Sequence, residues 1–299
     1  KLCVVGGFLF SAITNHSEEC DENTAFLLTD LSRKYLSSAK AKTPHILEAK
    51  DLCTYISLTG IKIIGITGTN GKSTVASMIG FALHSLGDSV ATLGTLGFFI
   101  NEQQVFKNAN TTPDTLELYS YILQAKEAKC EYFVMEVSSH AIAQSRIAGL
   151  EFVAKVITNI TQDHLDFHKD IEEYRVVKNS FLRDSECMVA NGDDESIETR
   201  ENFYTYGIKK SALLQAQAHS SSSSIQATLA LGSEKCEFHS PLVGDFNLSN
   251  FLASILCVQK ITNHSFVKIA KTLETFRGIP GRMEIVSEKP LVIVDFAHT

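Results

Sequence analysis

Gly68, Gly71, Lys72 and Ser73 lie within IKIIGITGTNGKST, the stretch from Ile61 to Thr74. Glycines in such a turn let backbone N–H groups close around phosphate oxygens. A lysine at this position sits on the β/γ-phosphates, and the hydroxyl after it faces Mg²⁺. The sequence therefore predicts a phosphate-binding loop that also includes Thr69, Asn70 and Thr74. The strict pattern G-x-x-x-x-G-K-[ST] is missed by one position: Ile66 stands where its first glycine belongs, and the glycine is Gly65. G-x-G-x-x-G does not occur, which weighs against a dinucleotide fold.

Two more groups of chemistry-bearing residues follow apolar runs. Glu136, Ser138, Ser139 and His140 come at the end of Tyr132–Val137. Thr161, Asp163, His164, Asp166 and His168 come after Val153–Ile160. Carboxylate and imidazole at adjacent strand ends, beside a phosphate loop, suit a divalent cation. Any one of them alone reads more simply as a hydrogen-bonded loop residue; their joint placement favours coordination. Lys178, in EEYRVVKNSF, reads from pattern alone as a solvated helix lysine.

The elements that must position these residues are legible as an α/β alternation. Ile61, Ile63, Ile64 and Ile66 make a short β-branched run, which predicts a buried strand. Val75–Leu86 is apolar at helical spacing and supplies the helix N-terminus whose dipole favours an anion. Asp88–Leu93, Glu131–Val137, Phe152–Ile160 and Glu186–Ala190 read as strands, and Gly97–Phe106 as a hairpin. Thr112-Pro113 predicts a helix start, with Thr112 as N-cap and the helix running to about Ala128. Ile171–Arg183, Asn247–Thr262 and Ser265–Phe276 read as helices, and Leu291–Phe296 as a last strand. Phe203–Ser240 reads as short strands with polar turns, and Ser220–Ser224 as a solvated loop. Strands alternating with helices imply a mostly parallel sheet covered on both faces.

Residues 1–60 have a different, less regular rhythm. Ala25–Leu28 predicts a strand and Ser32–Ala41 a helix; the acidic patch Glu18–Glu22 predicts solvated surface. The apolar run in Lys1–Ala12 reads as a first strand in preference to a signal peptide. The expected organisation is a small N-terminal α/β domain, residues 1–60, followed by a P-loop-containing central domain, residues 61–299. Two domains suit a chain of 299 residues with 44% hydrophobic and 20% charged content. A net charge of −7 argues against a nucleic-acid partner. Seven scattered cysteines without a C-x-x-C pair suit reduced thiols in the cytoplasm. No apolar stretch is long enough to predict a membrane span.

Eight motifs occur in order: TGTNGKST, NTT (Asn110–Thr112), MEVSSH (Met135–His140), TNITQDHLDFH (Thr158–His168), EEYRVVK, GDFNLSN (Gly244–Asn250), GRMEIV and VDFAHT (Val294–Thr299). Together they resemble the Mur ligase family, and within it the branch that extends UDP-MurNAc-L-Ala-D-Glu by a third amino acid in peptidoglycan synthesis. The resemblance covers residues 61–299 strongly and residues 1–60 loosely. It implies an ATP-dependent amide ligase working through an acyl phosphate, with two Mg²⁺ ions. By resemblance, Ser73 and Glu136 hold one Mg²⁺ and His164 the second, with Lys178 carbamylated by CO₂ into a carboxylate-like ligand. Lys72, Lys178 and His164 form the implied catalytic set. Asn110, Thr111, Thr112, Ser138, Gln144 and Arg146 are implied contacts of the UDP-MurNAc-dipeptide, with Ser17 a further candidate at its uridine end. Asn247, Arg282 and Asp295 fall on the nucleotide side.

Ser73 stands where the family more often has threonine, a change that keeps the hydroxyl. Family enzymes continue into a third domain that recognises the incoming amino acid, so the chain is expected to be a two-domain portion that does not complete the reaction alone. The chain is expected to act as a cytoplasmic monomer with no nucleic-acid or membrane partner. It leans to enzymes of Gram-negative bacteria, hence to meso-diaminopimelate, with L-lysine as the alternative. Two other readings stand beside it. One is a folylpolyglutamate-type ligase of the same superfamily, less favoured by MEVSSH and NTT. The other is a non-catalytic nucleotide-binding module, disfavoured by retention of Lys72, Glu136, His164 and Lys178.

Overall fold

The computed structural model describes residues 1–4, 8–107, 110–163, 167–219, 224–288 and 291–295. The chain opens with a four-stranded sheet of β1 (Leu2–Cys3), β2 (Ala12–Thr14), β3 (Thr24–Leu28) and β4 (His45–Glu48), in that order. Strands β2, β3 and β4 run parallel, and β1 pairs antiparallel to β2. Short helices α1 (Leu36–Lys40) and α2 (Leu52–Tyr55) complete this part. The apolar opening run is not one strand. Pairing covers only Leu2–Cys3, and Leu9 is 83% exposed.

The main sheet begins with β5 (Lys62–Thr67), followed by α3 (Lys72–Leu86), β6 (Val90–Gly94), β7 (Gly97–Ile100) and β8 (Gln103–Phe106). Helix α4 (Thr115–Glu127), β9 (Tyr132–Glu136), α5 (Ser139–Ala143), β10 (Phe152–Ile157), α6 (Ile171–Ser180) and β11 (Cys187–Asn191) come next. Strands β12 (Tyr204–Gly207), β13 (Leu214–His219), β14 (Ile225–Leu231) and β15 (Glu234–Ser240) lead to α7 (Asp245–Ile261) and α8 (Phe266–Leu273). Eleven strands order as β15-β14-β13-β12-β11-β10-β5-β9-β6-β7-β8. The run from β13 to β6 is parallel; the outer pairs on both sides are antiparallel. A separate hairpin, β16 (Glu284–Glu288) and β17 (Leu291–Val294), ends the described chain.

The isoleucines of β5 explain why this strand is central. Ile64 and Ile66 enter a core with α3, α7 and α8, whereas Ile61 and Ile63 enter another with α4 and Phe133. Alternate side chains thus serve opposite faces, and each fully buried one contributes roughly 1.5–3 kcal/mol. Gly65 belongs to this packing and not to the phosphate turn: a Cβ there would come within 2.6 Å of the Phe181 ring and 2.7 Å of Phe152. That is why the glycine spacing departs from the strict loop pattern. The small sheet docks through Ile13, Leu27, Leu52 and Ile56 against Leu116 and Tyr119 of α4.

Several predicted boundaries move: α8 ends at Leu273 instead of Phe276, and of the predicted helix Ser32–Ala41 only Leu36–Lys40 is α-helical. Helix α4 is capped by Asp114, whose side chain accepts from Thr115 N, so Thr112 is not the N-cap. Strand β10 stops at Ile157 and α6 at Ser180, each three residues short of the expected end. Of the serine run Ser220–Ser224, residues 220–223 lie outside the described set. Among the described residues, no helix is long and apolar enough to cross a membrane, and all seven cysteines are free thiols.

Candidate active site

The turn between β5 and α3 has the geometry phosphate binding needs. Gly68 and Gly71 hold φ of 143° and 86°, values that L side chains avoid. A Cβ on Gly68 would overlap Thr158 Oγ1, and one on Gly71 would come within 2.5 Å of Asn250 Oδ1. The loop is pinned from the end of β10. Thr158 Oγ1 and Asn159 Nδ2 donate to Asn70 O at 2.6 and 3.0 Å, and Asn70 N donates to Asn159 Oδ1 at 2.9 Å. Thr161 N donates to Thr69 Oγ1 at 2.9 Å. Lys72 Nζ folds back to donate to Gly68 O and Thr69 O at 2.9 and 2.8 Å. Burial lowers its pKa, with the Glu136 and Asp163 carboxylates opposing and Arg282 reinforcing.

Glu136 ends β9 and is 2% exposed. Its carboxylate accepts from Ser73 Oγ at 3.0 Å, Thr95 N at 2.8 Å and Thr95 Oγ1 at 3.3 Å. Burial pushes its pKa up, against the Lys72 charge and the donors of Thr95 and Ser73. A buried carboxylate beside a hydroxyl, both hard oxygen donors, fits Mg²⁺. The folded carboxyl binds its proton more tightly than the unfolded one, so its stabilising contribution is lost as pH rises through the folded pKa. Without a cation, the ionised group is a cost at neutral pH. Glu136→Gln is therefore expected to raise the metal-free melting temperature at pH 7 by roughly 2–3 °C, about 1 kcal/mol. In a pH series of thermal melts, that difference closes toward the ordinary carboxyl range; a destabilised variant at pH 7 contradicts the assignment.

Lys178 is not a surface lysine. It is 1% exposed, and its Nζ donates to Gly68 O at 2.7 Å and Thr67 Oγ1 at 3.2 Å, 5.2 Å from the Tyr174 ring centroid. Burial holds its pKa well below the ordinary lysine value, helped by the Lys72 charge and opposed by Asp163. His164 and Asp166 lie outside the described residues. His168 is buried, its ring edge-on to Tyr174 and Phe167. Among the described residues, no three His, Cys, Asp or Glu side chains converge to hold a cation.

The substrate-side candidates meet on the far side of Glu136. Thr112 Oγ1 donates to Glu136 O at 2.9 Å and accepts from Ser138 N at 3.0 Å. This tertiary commitment is why Thr112 does not cap α4. Arg146 Nη1 donates to Thr112 O at 2.8 Å, while Gln144 Oε1 orients the guanidinium from 2.6 and 2.9 Å. A cavity of about 460 Å³ joins Thr69–Thr74, Asn110–Thr112, Glu136, Ser138, Arg146 and Lys178. Lys72, Arg146 and Arg282 line it against Glu136 and Asp163, a local cationic excess on an acidic chain. A second cavity of about 490 Å³ shares Asn70, Gly71, Thr74 and Arg282 and adds Phe246, Asn247, Asn250 and Asp295. Ser17, by contrast, sits in a short turn of the small sheet, where its carbonyl accepts from Lys42 Nζ at 3.0 Å, and it lines neither cavity.

Sequence reading missed Thr95 and Asn250. Thr95 follows β6 directly, so its strand-end position was the available signal; Asn250 is marked only by its contact with the Gly71 turn.

A family model for the Mur ligase middle domain matches residues 66–258. A UDP-N-acetylmuramoyl-L-alanyl-D-glutamate–2,6-diaminopimelate ligase of Helicobacter pylori is 46% identical over 97% of this chain and 67% of its own length. The enzyme of the same name from Wolinella succinogenes is 45% identical over 96% of this chain and 66% of its own. The chain thus spans about two thirds of these relatives. A solved structure bearing that enzyme name superposes with a TM-score of 0.81 at 22% identity, covering 97% of this chain and 68% of the other.

Proposed function

The chain belongs to the Mur ligase family, and from that premise we propose that it carries the nucleotide and UDP-substrate sites of a ligase joining meso-diaminopimelate to UDP-MurNAc-L-Ala-D-Glu. The observation that carries this reading is one cavity uniting Lys72, Ser73–Glu136 and Lys178 with Asn110–Thr112, Ser138 and Arg146. The choice of diaminopimelate over L-lysine follows the names of the relatives, and its meso form follows the resemblance read in the sequence.

In the reaction, a substrate carboxylate oxygen attacks the γ-phosphorus of ATP and ADP leaves. The amine of the incoming amino acid then displaces phosphate from the acyl phosphate, forming the amide and losing a proton. The first step brings two anions together, ATP and the carboxylate, so the site must neutralise charge before it can align atoms. Lys72 supplies a cation to the transferring phosphoryl group. Ser73 and Glu136 would hold one Mg²⁺, and His164 with a carbamylated Lys178 would hold the second; bound there, the ions would neutralise phosphate and carboxylate charge. Buried Lys178 fits that modification, because CO₂ adds only to a neutral amine. Arg146, aimed by Gln144, and the Asn110–Thr112 loop hold the UDP-substrate, with Ser17 toward its uridine. Asn247, Arg282 and Asp295 line the nucleotide cavity. Residues 1–60 serve as the UDP-substrate domain and 61–299 as the ATP domain of a cytoplasmic monomer, in keeping with the free thiols.

Because the relatives are about half as long again, residues 1–299 alone are expected to bind but not to ligate. Mg²⁺·ADP at about 100 times its Kd adds roughly 2.7 kcal/mol of stability, a rise of about 5 °C in Tm. Thermal melts check this, and phosphate release with the UDP-dipeptide and diaminopimelate checks turnover. No shift with Mg²⁺·ADP overturns the nucleotide-site reading, and full amino-acid-dependent turnover from this chain overturns the expectation that these residues bind without ligating.

A further inference from the structure

We propose that Thr95 is a positioning residue that fixes the Glu136 carboxylate for its cation and ties it to the substrate loop at Thr111. The proposal rests on the reading of Ser73 and Glu136 as a Mg²⁺ site.

Thr95 follows β6 at the strand's carboxyl end, next to β9. Its N–H donates to Glu136 Oε1 at 2.8 Å and its hydroxyl to Oε2 at 3.3 Å. One residue therefore grips both carboxylate oxygens and sets the plane of the group. Gly94, just before it, leaves room for this: a Cβ there would overlap Glu136 Oε1.

Counting protons gives the contact a direction. A threonine hydroxyl has one proton to donate. The 3.0 Å contact between the Thr95 and Thr111 hydroxyls can run in either direction; with the Thr95 proton on Glu136, Thr111 is its donor. Donation runs from Thr111 through Thr95 to the carboxylate. Ser73 also donates to Oε2, and its lone pairs stay available to a cation while it does so. Thr95 adds what Ser73 does not, a donor on Oε1 as well as on Oε2, which fixes the plane of the carboxylate. Thr112 meanwhile donates to the Glu136 carbonyl. The loop carrying Thr111 and Thr112 thus holds Glu136 at side chain and backbone together, so the UDP-substrate on that loop and the cation on Glu136 report to each other.

Thr95→Val in the full-length enzyme removes the hydroxyl at an exposed turn position while keeping the shape. Mn²⁺ affinity in the presence of ADP, followed by electron paramagnetic resonance, is expected to fall about tenfold. Thr95→Ser keeps the hydroxyl and stays within about twofold of the parent. UDP-MurNAc-dipeptide should tighten Mn²⁺ binding in the parent; that tightening is lost in Thr95→Val and in Thr111→Val, and the double variant loses no more. Parent-like Mn²⁺ binding by Thr95→Val, with Glu136→Gln deficient, overturns the positioning role and leaves the site reading intact. Parent-like binding by Glu136→Gln as well overturns both.

Discussion

Lys72→Ala in the full-length enzyme is expected to lose at least 10²–10³-fold in kcat/KM while Tm changes by no more than about 2 °C. The rate loss follows from removing a preorganised cation from a developing anion, worth about 3–4 kcal/mol in such sites. The small stability change follows from what Lys72 touches. Its ammonium bonds only two loop carbonyls, Gly68 O and Thr69 O, and burial disfavours its charge. Deleting it gives up two hydrogen bonds and relieves a desolvated cation, and these largely cancel. A second consequence is less obvious. The Lys72 charge helps hold the Lys178 pKa down. Without it, Lys178 keeps its proton to higher pH, so residual turnover should need more bicarbonate and a higher pH than the parent. Steady-state kinetics at several bicarbonate concentrations, with melts in parallel, test both parts. Near-normal ligation by Lys72→Ala would discard the phosphate-loop reading.

The loop itself was legible because its signals are local. A β-branched strand, positive-φ glycines and an apolar-periodic helix need no distant partner to be recognised, and β5 and α3 fall where expected. The misses share a different cause. Thr112 and Pro113 look like a helix start, but the Thr112 hydroxyl is taken by β9, and Asp114 caps α4 in its place. Helix α6 misleads more strongly. Its apolar Val176 is 63% exposed while Tyr174 and Lys178, four residues apart on one face, are buried. Hydrophobicity points to the wrong face, because the buried face turns toward the backbone of the phosphate loop at Thr67 and Gly68. Local propensity cannot encode that choice; the functional site imposes it. Thr95 was missed for the same reason, since its partners lie on β9 and in the loop around Thr111.

The fate of Lys178 is the sharpest test of the proposed chemistry. Its burial, its bonds to Gly68 O and Thr67 Oγ1, and its lowered pKa describe an amine kept neutral well below the ordinary lysine range. A neutral amine attacks CO₂; one N–C bond forms, a proton leaves, and the product offers oxygens that a hard cation prefers. The linkage sign gives a readout besides turnover. A lysine with lowered folded pKa costs stability at neutral pH, and that cost lifts as pH rises through the window below 10.5, the unfolded value. In CO₂-free buffer, the Tm of the parent should therefore rise with pH relative to Lys178→Met. Adding bicarbonate should raise the parent's Tm and not the variant's. In turnover, Lys178→Ala is expected to lose about 10²–10³-fold and to regain part of it with formate or acetate, which place a carboxylate in the vacated space. Lys178→Arg should not respond, because the guanidinium keeps its charge and fills the site. Labelled bicarbonate should give the parent a carbamate carbon signal that is absent from every variant. A Lys178→Ala enzyme within about twofold of the parent, a barrier change below roughly half a kcal/mol, would leave Lys178 as a buried structural amine with no place in the reaction.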